Sequence, residues 1–141
     1  MGNVSISRFN FETKFSETIT AICGVICRTW RDASTDISLP SVLVHVMPIK
    51  PEGAGTYGNI RDAAIEVSIV ADPQDDQTGA VADALCDSVL SALVYICENS
   101  HVVSFTGGVV NGLVFESTDE RIDDEGHTVI LMSLNATIAE E

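Results

Sequence analysis

Apolar residues recur along this chain at two different periods, and each change of period marks an element boundary. Between residues 11 and 30 the spacing is three and four: Phe11, Phe15, Ile19, Ile22, Ile26 and Trp30 line one side, while Glu17, Thr20, Gly24 and Arg28 line the other. That pattern predicts an amphipathic α-helix. Asn10 is the expected N-cap, Glu12 lies where a carboxylate complements the helix dipole, and Arg28 and Arg31 suit the other end. Gly24 inside such a helix costs about 1 kcal/mol relative to alanine. Residues 32–40 carry no period and read as a loop.

From Pro40 the period drops to two. Val42, Val44 and Val46 share one face of a predicted strand that Pro48 ends. Residues 60–71 alternate Ala63, Ile65, Val67, Ile69 and Ala71 with Asp62, Ala64, Glu66, Ser68 and Val70. Between these strands, residues 50–59 are rich in Gly and Pro and have no apolar period, which predicts a long hairpin tip or arm. After the acidic loop Asp72–Thr78, the spacing returns to three and four. Val81, Leu85, Val89, Ala92 and Ile96 predict a second helix from about Thr78 to Glu98, with Asp83, Asp87 and Ser91 facing away. Strands over 101–106 and 109–116 are expected to flank Gly107-Gly108 as a hairpin, with Asn111-Gly112 as a competing turn. An acidic turn over 117–126 leads to the last strand, where Ile130, Met132, Leu134, Ala136 and Ile138 alternate with Val129, Leu131, Ser133, Asn135 and Thr137.

The order is helix, two strands, helix, three strands. Helices and runs of antiparallel strands segregated in this way predict an α+β fold, mainly an antiparallel sheet with both helices on one face. The 141 residues suit a single domain over 1–141. A chain of this size buries roughly 68–70% of its unfolded surface, so no disulfide or metal is needed for a core.

Charge changes the picture more than size does. Residues 1–60 hold five acids and five bases; residues 61–141 hold sixteen acids and only Arg61 and Arg121, so the whole net charge of −14 belongs to the second part. Such a surface repels phosphates, and seven bases spread thinly cannot grip nucleic acid. The chain is nevertheless 45% apolar, which points to apolar surface covered by another subunit. No uninterrupted apolar run reaches the ~18 residues of a membrane span, and residues 1–15 lack the apolar stretch of a signal peptide. The expectation is an intracellular protein with no membrane partner.

Candidate chemistry is sparse. There is no nucleophile elbow and no Walker loop, and the stretch Gly53–Asn59 lies between strands with no helix start to receive a phosphate. Cys23 and Cys27 fall one helical turn apart and Cys86 and Cys97 lie eleven residues apart, so packed helices could gather four thiols, with zinc as the alternative to core packing. His45, His101 and His127 lie in or beside strands with no nucleophile at a supporting spacing. Taking Gly126 as the sixth position of a calcium loop would put Arg121 at the first, so that pattern fails and a solvated turn is expected. No catalytic, cofactor-binding or metal residue is predicted, and no enzyme activity.

The layout resembles the tail terminator and tail-completion (neck) proteins of long-tailed bacteriophages. The resemblance is carried by Leu39 to Met47, Ala64 to Asp76, the helix from Val81 to Leu93, and Asp123 to Ile138. It implies a virion protein, made in the host cytoplasm, that assembles as a homo-oligomeric ring, a hexamer. The ring would cap the tail tube protein, offer a joining surface to the head-connector protein, and let DNA pass without specific binding. Six copies at −14 each would carry about 84 negative charges, some of which could line that passage. Residues 50–59 would suit an arm reaching a neighbour. The alternatives are another ring-forming virion part, such as a head-closure or tail-tube subunit, or a small cytosolic enzyme or metal-binding domain using the cysteines.

Overall fold

Gly24 ends the first helix rather than sitting inside it. In the computed structural model, which describes residues 7–30, 39–51 and 60–140, Gly24 adopts φ +76° and its N–H closes back on Thr20 O. A left-handed C-cap is where glycine avoids the Cβ clash that other residues suffer. Helix α1 therefore spans Arg8–Cys23, and the N-cap is Ser7, whose hydroxyl accepts from the Asn10 N–H. Both the expected helix to residue 30 and the expected Asn10 cap are corrected. Arg28 falls on a strand, and Arg31 lies outside the described residues.

Beyond Gly24 the chain turns into β1 (Cys27–Thr29), which pairs parallel to β2 (Ser41–Val46). A two-residue β3 (Lys50–Pro51) then pairs with the start of β4 (Ile60–Ala71). The remaining eight residues of the expected 50–59 arm lie outside the described residues. Helix α2 (Ala80–Glu98) follows, then a 3-10 turn at Ser100–Val102, β5 (Ser104–Phe105), β6 (Gly108–Ile122) and β7 (Thr128–Glu140). The strand order across the sheet is β1-β2-β4-β7-β6-β5, antiparallel except between β1 and β2.

The alternation in sequence became a one-sided core. Val42, Val44, Val46, the five apolar alternates of β4 from Ala63 to Ala71, and the five of β7 from Ile130 to Ile138 are all buried. Each buried Val, Ile, Leu or Met among them contributes about 1.5–3 kcal/mol, and each alanine less. Both helices lie on this face: α1 over the β1–β2 half, α2 against β4 and β6. Phe11, Phe15 and Ile19 of α1 and Val89, Ala92, Leu93 and Ile96 of α2 complete the core. Glu12 is fully buried and ties α1 to the sheet, its Oε2 accepting from the Val46 N–H at 2.9 Å.

The C-terminal half departs further from expectation. The tight turn between β5 and β6 uses Thr106-Gly107, one residue earlier than Gly107-Gly108. Gly108 is needed for a different reason. A Cβ there would meet Ile138 Cγ2 at 3.0 Å and Ala139 O at 3.1 Å. Asn111-Gly112 does not form a turn but a β-bulge, marked by the register shift between Val110 and Gly112. A second shift between Phe115 and Ser117 follows, and β6 then continues to Ile122. The acidic turn is consequently only 123–127, not 117–126.

Candidate assembly surface

The thiols and histidines are not gathered into a site. Cys23 ends α1 and Cys27 lies on β1, so they are not one helical turn apart, and all four cysteines are free thiols. Burial pushes the Cys27 thiol up to about 12, against a hydrogen bond with Thr20 that lowers it. Burial also raises Cys86 and Cys97, and Asp87, Asp83 and Glu120 add to the rise at Cys86. A raised thiol stays protonated at neutral pH and is neither a good nucleophile nor a ready metal ligand. Among the described residues, no group of three or more His, Cys, Asp or Glu is arranged to hold a metal ion.

The acidic turns are built as local structure. Asp123 Oδ1 accepts from the backbone N–H of Glu125 and of His127, and His127 Nδ1 lies 3.6 Å from Asp123 Oδ2. Asp76 reaches forward to the start of α2, its two oxygens accepting from the Val81 and Ala82 N–H groups, where a carboxylate also meets the helix dipole. Asp72 closes its own turn through Gln74 N.

Among the described residues, the sheet ends in a pair of contrasting edges. On the β1 side, Arg8 Nε donates to Val46 O at 2.6 Å and its Nη2 donates to His45 Nε2 at 3.1 Å. Trp30 stacks on the His45 ring at 4.7 Å, and His45 Nδ1 lies 3.9 Å from Glu66 Oε1. Arg28, two residues before Trp30, is exposed beside them. Trp30 keeps 55% of its surface exposed and Ile26 keeps 71%. These two and the exposed Ile22 are the second half of the apolar stripe read as core helix; Ile22 lies exposed on the last turn of α1, and Ile26 and Trp30 leave the helical stripe because the helix stops at Gly24. Clustered Trp and Arg side chains are the composition of binding hot spots.

On the opposite side, β5 pairs among the described residues only with Gly108 and Val109, and Val103 O accepts from the Val110 N–H. From Gly112 to Ile122, no strand among the described residues pairs with the outer edge of β6. Glu116 to Ile122 are all exposed, and the register puts Asp119 opposite Leu131 on the open face and Glu120 opposite Ile130 on the helix-covered face. Glu120, Asp76 and Asp83 line one cavity of about 310 Å³ between α2 and the sheet. Alternation could not reveal this stretch, because neither of its faces is buried.

Helix α2 adds an apolar outer face. Val81, Leu90, Val94 and Tyr95 are exposed beside Asp83 and Asp87. By length and composition alone α2 could cross a membrane, and 28% of it is buried in the fold. Val81, expected in its core stripe, faces outward, while Ala82 and Leu93 take buried places instead.

No family model matches the sequence, and no curated protein matches it either. Among solved structures, a chain of the "Virion of native gene transfer agent (GTA) particle" superposes with a TM-score of 0.61 at 17% identity, covering 95% of this chain and 94% of that one. A second solved structure aligns with a TM-score of 0.46 at 14% identity over 93% of this chain and 92% of its own. The first likeness is one of fold: nearly the whole chain, both helices and the curled sheet included, has a counterpart in a component of that particle.

Proposed function

We propose that this chain is a structural virion subunit that assembles as a hexameric ring, caps a tail tube and provides the joining surface to a head connector. The observation that carries the reading is the end-to-end fold likeness to a chain of a gene transfer agent virion. Three features of the molecule support it. Burial raises the thiols of Cys27, Cys86 and Cys97, which keeps these three protonated at neutral pH. Its acidic turns are occupied with backbone hydrogen bonds. Its exposed apolar side chains sit on an edge and on a helix face, where subunits can cover them. In this reading the protein performs no catalysis, and the excess acid keeps DNA moving past rather than bound.

The same likeness also fits another ring-forming part, a head-closure or tail-tube subunit, because it is to a particle and not to a position within it. Co-sedimentation separates the two. Purified protein is mixed with tail tubes, and separately with head connectors, of the particle whose genome encodes it. The proposal expects binding at tube ends, seen as terminal caps by negative stain, and then binding of connectors to capped tubes. Incorporation along the tube length would assign the tail-tube role. Binding to connectors but not to tubes would assign head closure.

A further inference from the structure

We infer that the open edge of β6 pairs with the β1 edge of a second copy of this chain, so that the sheet runs on from subunit to subunit. This deepens the ring reading above by naming the surfaces that close it.

The first argument is topological. β1 and the outer half of β6 lie on opposite sides of the same sheet. A contact between two different edges is head-to-tail, and a head-to-tail contact closes a ring when its repeated rotation completes a full turn, running on as a filament otherwise. The second argument concerns the backbone. Residues 112–122 present an extended run of peptide groups with no strand on their outer side among the described residues. Such an edge is a template for strand addition.

The third argument is charge, and it selects the occupant. The β6 edge carries Glu116, Asp119 and Glu120 against one base, Arg121, which is 3.8 Å from Asp119. Asp83 and Asp87 of α2 are exposed as well. Two β6 edges would therefore repel each other, which disfavours symmetric pairing. The β1 edge instead offers the exposed Arg28, with Trp30 and Ile26 as apolar anchors, and the part-buried Arg8 of α1 adds positive charge nearby while held on Val46 O and His45 of β2. Complementary charge of this kind fixes partner and register. Among the described residues, part of the charge asymmetry in the sequence thus falls between two edges, Arg28 at one and Glu116, Asp119 and Glu120 at the other.

The test uses the full chain. Arg28→Glu reverses one edge; Glu116→Arg with Asp119→Arg reverses the other. Neither change touches a core residue, and unchanged melting temperatures verify folding. Each reversal alone is expected to weaken self-association at least ten-fold by light scattering. A chain carrying both reversals is expected to regain most of it. Hydrogen exchange is expected to show amides of 112–122 protected in the assembled wild type and fast in either single-edge variant. If rings form and neither reversal alters them, with 112–122 still exchanging fast, the pairing is wrong while the virion reading stands. If the wild type stays a single copy up to millimolar concentration, the pairing is wrong and the ring falls with it.

Discussion

Strand β4 and the outer half of β6 lie in the same sheet, yet physics has shaped them in opposite ways. β4 is hydrogen-bonded on both sides, to β2 and to β7, and its alternate apolar residues are sealed under the helices. From Val114 to Ile122, β6 is paired on one side only among the described residues, and those two end residues are 63% and 71% exposed. One strand holds the subunit together. The other offers itself outward, and its acids keep it from pairing with its own kind. In the proposed assembly, stability and subunit contact are separated in space, and substitutions should separate them too.

The largest effect is expected in β4. Ile65→Ala empties a fully buried position and should lower stability by about 2–5 kcal/mol; denaturant unfolding reads it, and a loss below 1 kcal/mol would mean the centre is not packed as described. Next is Glu12→Ala at the junction of α1 and β2, which strips the Val46 N–H of its carboxylate and should cost about 1–3 kcal/mol. At the tip of the β6–β7 hairpin, Asp123→Ala removes the acceptor for two backbone N–H groups and should cost about 1 kcal/mol, seen as a small drop in melting temperature. Asp124→Asn with Glu125→Gln, beside it and exposed, should change stability by no more than about 0.5 kcal/mol. A ranking in which the tip acids outweigh Ile65 would erase the contrast between the two regions.

How far each region was legible in the sequence follows the same line. Every buried alternate of β2, β4 and β7 could be named in advance, because a sheet covered on one face imposes period two on its residues. The outer part of β6 could not. A strand with both faces wet has no alternation to read, so Ser117 to Ile122 passed for a turn. The overlong first helix failed for another reason. Ile22, Ile26 and Trp30 continue the helical spacing of Phe11, Phe15 and Ile19, but Gly24 turns the chain left-handed between them. The spacing was real and its burial was not: Ile22 stays exposed on the last turn of α1, and Ile26 and Trp30 became part of the exposed edge. Of the assembly surface, only its motives were visible beforehand: an apolar fraction too large for so acidic a chain, and a charge split at about residue 60. The edges on which those motives act required the strand order.

The most direct test of the account is the mass of the purified full chain in solution, measured by sedimentation across a wide concentration range and paired with negative-stain images. The account predicts a discrete closed species of six copies that dissociates on dilution or at high salt, and images with a central opening. A single copy at every concentration up to millimolar, with no ring in the images, would contradict it.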